Sequence, residues 1–231
     1  MPTTLLLGVL LAGVAPADVY FEQTVVTSSD GRPAGAGVLS RVWYSGRKMR
    51  LEAGCMLESP AFILRLDTGK AYRLDPRART ATQLDANRLR AQSQMDLAMA
   101  GDLMGGADEG AARSARLREP RTIAGYACEG YRITAGSTVM DVYVTRALGL
   151  GIDAFADFLQ WSGAEQALAG ILSELRKLPG FPLETRSRVT VLGTAHETVS
   201  TVTRVKVGPQ PASLFEPPAG FRIVAEPAEE N

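Results

Sequence analysis

Side-chain alternation at period two, broken by short glycine-containing turns, limits what this chain can fold into more than any other feature of the sequence. Val38 to Tyr44 places Val38, Val42 and Tyr44 on one face, and Ser45-Gly46-Arg47 then turns into Lys48 to Glu52. Phe62, Leu64 and Leu66 alternate with Ile63, Arg65 and Asp67, after which Asp67-Thr68-Gly69-Lys70 leads into Ala71 to Leu74. Tyr131 to Thr134 and Val139 to Val144 flank Ala135-Gly136-Ser137 in the same way. Thr185 to Leu192 and Glu197 to Val207 flank Gly193-Thr194-Ala195 and make a long, largely polar-faced hairpin. Neighbours in a strand point to opposite faces and Gly supplies positive φ at a turn, so the pattern predicts antiparallel hairpins. With an opening strand over Val19 to Thr27, roughly ten strands are expected.

Two stretches depart from the alternation. Asn87 to Met104 is rich in Ala, Gln and Met and has no turn signals. In Ile152 to Leu178, the residues Phe155, Phe158, Leu159, Leu168, Ile171, Leu172, Leu175 and Leu178 return at helical spacing until Pro179-Gly180 stops them. Strands, helix, strands, helix, strands is an α+β order, an antiparallel sheet with helices gathered on one face. Gly105 to Ala112 reads as a surface loop and Glu226 to Asn231 as a frayed acidic tail.

The amino terminus reads as an export signal. Leu5 to Val14 is apolar but about half the length of a membrane span, and Ala15-Pro16-Ala17 supplies the small residues a signal peptidase needs. Met1 to Ala17 is therefore expected to be removed, leaving residues 18–231 as one domain in the periplasm or outside the cell. The missing basic residue in Met1 to Thr4 leaves open a true start further upstream. No later segment is apolar enough to span a bilayer. The 25 basic residues balance the 25 acidic ones, without a basic stripe, which argues against nucleic acid as a partner.

Few residues invite a chemical role, and each has a structural explanation. Asp67-Thr68-Gly69 has the form of an aspartic-protease turn, in which two carboxylates share a proton, but there is no second copy and hairpin geometry explains it. Gly35-Ala36-Gly37 precedes a strand, where a dinucleotide fingerprint would follow one and open a helix. His196, the only histidine, sits beside a hairpin turn with no partner at useful spacing for general-base or metal chemistry. Cys55 and Cys128 are either a disulfide, closing a loop of roughly seventy residues that contributes about 4 kcal/mol on the chain-entropy model, or two separate buried thiols. No catalytic residue, metal site or cofactor is expected. Met95, Met99 and Leu103, with Phe155, Phe158 and Leu159, are the candidates to line or cover an apolar cavity, the alternative being that their helices simply pack on the sheet.

Four motifs resemble a known family. Gly125-Tyr126-Ala127-Cys128-Glu129-Gly130-Tyr131 resembles the Gly-Tyr-x-Cys-x-x-Tyr hairpin of a bacterial family of unknown function, DUF4412. Asp141 to Thr145 resembles its following strand, with Tyr143 at the aromatic position, and Gly180-Phe181-Pro182-Leu183 its Gly-x-Pro-Leu entry to the last hairpin. Leu214-Phe215-Glu216-Pro217-Pro218-Ala219-Gly220-Phe221 resembles its closing Phe-x-x-Pro-x-Gly-Tyr element. The family is similar in organisation to periplasmic lipoprotein carriers of the LolA and LolB type. That likeness implies a curved antiparallel sheet, an incomplete barrel, closed by helices over an apolar cavity. The expectation is then a non-enzymatic exported protein that binds or carries an apolar ligand such as a lipid or acyl chain. The alternative is a periplasmic protein–protein interaction or envelope-sensor domain with a filled core.

Overall fold

The computed structural model describes residues 18–33, 35–54, 61–85, 112–152, 169–191 and 193–226. The strands of the amino-terminal half are β1 (Val19–Ser29), β2 (Arg32–Pro33), β3 (Val38–Ser45), β4 (Lys48–Ala53), β5 (Ala61–Arg65), β6 (Lys70–Asp75) and β7 (Thr80–Gln83). There follow β8 (Arg113–Arg116), β9 (Arg121–Ile123), β10 (Tyr126–Ala135), β11 (Thr138–Thr145), helix α1 (Ala169–Arg176), β12 (Phe181–Val191), β13 (Thr194–Val207) and β14 (Arg222–Ala225). They form one sheet in the order β14-β7-β6-β5-β4-β3-β1-β13-β12-β11-β10-β8, with β2 beside β1 and β9 beside β10.

The hairpins stand where the alternation put them. β3 turns into β4, β5 into β6, β10 into β11 and β12 into β13, all antiparallel. Ala124 and Gly125, between β9 and β10, both have positive φ (49° and 84°), the mark of a two-residue turn whose twist matches that of the strands. The join between the two halves is long-range. β1 pairs with β3 from Val19 opposite Tyr44 to Val25 opposite Val38, and with β13 from Val19 opposite Val207 to Ser29 opposite His196. It thereby stitches the β3–β7 meander to the β10–β13 group. Among the described strands the one departure from antiparallel pairing is β14, which runs parallel to β7.

Apolar residues from ten strands share one buried cluster. It runs from Val19, Phe21, Val42 and Tyr44 to Met49, Leu64 and Ala71 on one side, and to Val202, Phe181, Leu183, Tyr143 and Cys128 on the other. Phe21 and Phe181 meet edge to face with centroids 5.6 Å apart. On the opposite face of β5–β7, Ile63, Tyr72, Leu74 and Ala81 pack with Phe221. A carboxy-terminal strap covers that face: a 3-10 turn, Ala212–Phe215, fully buries Phe215. The chain then turns at Pro218–Phe221, where the Phe221 amide donates to the Pro218 carbonyl and Gly220 takes φ +81°, before joining as β14.

The helical cover expected over one face is not supported by the described residues. Among the described residues the only α-helix is α1, whose Ile171 and Leu175 pack, together with Leu178, against Ile133, Val142 and Val144. Eight residues make a helix of about 12 Å, which spans two or three strands at about 4.8 Å each and not a sheet this wide. Its carboxy-terminal end falls just before Pro179-Gly180, as the breaker predicts. The other expected helix, Asn87–Met104, and the front of Ile152–Leu178 lie outside the described residues, as do Met1–Ala17. No helix of the described residues is long and apolar enough to cross a membrane.

Gly180 lets the chain enter β12 hard against the end of β11. Its φ is +136°, and a Cβ there would overlap the Thr145 carbonyl. Gly69 also has positive φ, +68°, but faces open space. Gly180→Ala is therefore expected to cost about 3 kcal/mol or more, and Gly69→Ala only about 1 kcal/mol, in urea unfolding. Equal losses would show that contact with Thr145 is not what selects glycine.

Candidate functional site

The face of the sheet that carries Tyr20 is built from two cross-strand rows. The strands β1, β3, β4 and β13 each place a polar or aromatic pair at i and i+2 on this face, and register then aligns the pairs. One row reads Arg50, Trp43, Tyr20, Lys206, each directly opposite the next. The adjacent row reads Glu52, Arg41, Glu22, Arg204.

The second row alternates in charge and largely satisfies itself. Arg41 lies 3.8 Å from Glu52 and Arg204 lies 3.7 Å from Glu22. The rows are also tied to each other. Arg50 binds Glu52 at 2.8 Å, and Tyr20 donates its hydroxyl to Glu22 at 2.5 Å. Burial, followed by that hydrogen bond and the charge of Glu22, pushes the Tyr20 phenol up to about 12. In the first row the Tyr20 and Trp43 rings lie 5.0 Å apart, tilted by 39°, and the Arg50 guanidinium stands 5.9 Å from the Trp43 ring. Arg50 also donates to the Leu214 carbonyl at 3.2 Å, so the strap fixes that end of the row.

The other end opens into a cleft of about 460 Å³. Tyr20, Trp43, Arg204 and Lys206 line it, together with Val207–Gln210, where the chain leaves β13 for the strap. The Gly208 amide donates to the Asp18 carbonyl and the Gln210 amide to the Asp18 carboxylate, which fixes this wall beside the start of β1.

The residues singled out from sequence are dispersed. Asp67 is held by Arg65 through two hydrogen bonds of 2.8 and 2.9 Å, and Arg65 also pairs with Glu216. The hydrogen bond from Arg65 holds the Asp67 carboxyl below its ordinary value. His196 is corrected in one respect: it has a partner. It lies in β13 opposite Ser29, half-buried, with Nδ1 3.1 Å from the Ser29 hydroxyl, a contact that depends on β1 pairing with β13. Gly37 lets the loop before β3 pass close to Thr24 and Val26, which is a packing role. Cys128 is a buried free thiol, pushed up by desolvation, that contacts the Tyr126 carbonyl at 3.4 Å. Cys55 lies outside the described residues, as do Met95, Met99, Leu103, Phe155, Phe158 and Leu159. No group of three metal-ligating side chains occurs among the described residues.

The family model of a domain of unknown function, DUF4412, matches residues 45–221. The chain belongs to this family. Among solved structures, PNGF-II matches at 16% identity and a TM-score of 0.39, over 92% of this chain and 31% of that one. This chain thus spans about a third of the PNGF-II chain. MucB matches at 12% identity and a TM-score of 0.45, over 91% of this chain and 60% of that one. A LolA superfamily protein from Nitrosomonas europaea matches at 10% identity and a TM-score of 0.34, over 87% and 90%. With TM-scores this low, none of these likenesses bears on ligand or partner. No curated protein matches the chain in sequence.

The DUF4412 motifs turn out to be architectural. Gly125 makes the β9–β10 turn, Cys128 and Tyr143 enter the main cluster, and Gly180 clears Thr145. Phe215 and Phe221 anchor the strap. None of these residues lines the cleft.

Ion pairs on the β10–β13 surface supply a pH test. Arg132 binds Asp141 bidentately at 2.6 and 2.8 Å, and this hydrogen bonding holds the Asp141 carboxyl below its ordinary value. A depressed carboxyl contributes stability that is complete above its unfolded value and is lost as pH falls through the lower folded value. Asp141→Asn is expected to lower stability by about 1 kcal/mol at neutral pH, with the gap to wild type closing on acidification to about pH 3. Urea unfolding at the two pH values measures this, and a gap independent of pH would remove the ion pair as its cause.

Proposed function

We propose that the chain is an exported, non-enzymatic protein that holds an apolar ligand, such as a lipid or acyl chain, in the periplasm. The observation that carries this reading is the contiguous apolar cluster through ten strands, with Leu51, Phe62, Leu84, Leu117 and Val205 half-buried along it. A sheet apolar over that breadth needs a cover, and the one described helix does not supply it: α1 packs on Val142 and Val144, which flank Tyr143 in β11 and so face away from the cluster. In this reading Met95, Met99 and Leu103, with Phe155, Phe158 and Leu159, form the lid, and the ligand lies between lid and sheet. Removal of Met1–Ala17 places Asp18 at the start of β1. Asp67 and Asp141 are each engaged by an arginine, which suits the binding reading.

A second reading, a protein-interaction domain, draws on the sheet edges. β8 is exposed along its whole length, and Ile223 of β14 is 56% exposed at the other end of the strand order. Such edges accept an added strand from a partner.

Protein purified from periplasm without detergent is expected to carry a solvent-extractable lipid, seen in native mass spectrometry as an added mass of a few hundred daltons. A clean apo mass together with no uptake of a fluorescent fatty acid would overturn the carrier reading. Cross-linking to a periplasmic protein in the same cells would then favour the interaction domain.

A further inference from the structure

We propose that the cleft beside Tyr20 and Trp43 is a second binding site, for a small anion that carries a flat ring: an aromatic carboxylate, sulfonate or phosphate. It lies on the polar face and is independent of the apolar-ligand reading.

The argument rests on what the two rows leave unsatisfied. The row Glu52, Arg41, Glu22, Arg204 alternates in sign, so its charges answer one another. The row Arg50, Trp43, Tyr20, Lys206 has a cation at each end and no acid within it. Arg50 is answered by Glu52 and by the Leu214 carbonyl. Lys206, at the cleft end, is exposed and has no partner among the described residues, and Arg204 beside it meets Glu22 only at 3.7 Å, beyond hydrogen-bond reach. No carboxylate is among the residues that line the cleft, which leaves Lys206 unanswered and Arg204 only loosely shared with Glu22 behind it. An anion is the complement of that lining.

The floor sets the second requirement. Tyr20 and Trp43 are both half-buried and present part of their surface to the cleft. Two tilted rings offer a flat partner stacking or edge-to-face contact, which a compact inorganic anion cannot use. The Tyr20 hydroxyl is already given to Glu22, so Tyr20 acts here as a surface and not as a donor. The wall at Val207–Gln210 is fixed by its bonds to Asp18, and a volume of about 460 Å³ accommodates a bicyclic ring with its acid group.

The test uses the exported chain and 2-naphthoate. Titration followed by amide chemical shifts is expected to saturate below about 1 mM, with the shifts concentrated at residues 20, 43 and 204–210. Neutral 2-naphthol and ringless acetate are each expected to bind at least about tenfold more weakly. The double variant Lys206→Gln with Arg204→Gln, both positions exposed, is expected to weaken 2-naphthoate by about tenfold with an unchanged thermal midpoint. Shifts elsewhere, no saturation at millimolar concentration, or full binding by the double variant would each overturn the site. A fatty acid that displaced 2-naphthoate would also overturn its independence, whereas failure to bind 2-naphthoate leaves the lipid measurement untouched.

Discussion

The fold depends on β1 lying between β3 and β13. Without it the chain is two meanders, β3–β7 and β10–β13, each with an unpaired edge and half an apolar cluster. β1 satisfies backbone groups on both edges and contributes Val19 and Phe21, 1% and 3% exposed, where the halves meet. The pairing joins residues about 180 positions apart, as in Glu22 opposite Arg204, so a large loop-closure cost precedes its reward. The irregularity between Glu22 and Gln23 falls within this pairing and locally disrupts the ladder.

The same pairing organises the charges. Glu22 stands between Arg41 and Arg204 only because β1 stands between β3 and β13. Further along, Arg188 faces Glu197, and Arg132 faces Asp141, on adjacent pairs of strands. Exposed pairs of this kind are each worth under about 1 kcal/mol, so their contribution to stability is secondary. Their more certain effect is on register. A slip of one residue would carry the apolar side chains of the slipped strand to the other face and separate every one of its opposed charge pairs.

What was legible in the sequence is what is local. Ser45-Gly46-Arg47, Asp67-Thr68-Gly69-Lys70 and Gly193-Thr194-Ala195 announce their hairpins because turn geometry is decided within four residues. Pro179-Gly180 announces a helix end for the same reason, and the four motifs from residues 125–131 to residues 214–221 together carry the family resemblance. The β1–β13 pairing, the parallel approach of β14 to β7 and the partner of His196 were not legible, because each depends on register between distant segments. The cleft left a faint signal. Tyr20 with Glu22, Arg41 with Trp43, Arg50 with Glu52, and Arg204 with Lys206 are all same-face pairs at i and i+2. Each reads alone as an ordinary solvated strand face, and only strand order turns four such pairs into two rows.

Family membership therefore constrains the scaffold far more than the binding surface. The matched region, residues 45–221, contains the turns, the strap and the Thr145–Gly180 contact, all of which shape the sheet. It stops short of Tyr20, Glu22, Arg41 and Trp43, so the aromatic floor of the cleft comes from β1 and β3, ahead of the match. Arg204 and Lys206 lie inside it, yet on the face opposite Val19 and Phe21, where packing makes no demand on their identity. A scaffold set by turn glycines and buried aromatics places no packing demand on such solvent-facing positions. The chemistry of the cleft is thus to be read from the rows that register assembles around Tyr20, and not from the motifs by which the family is recognised.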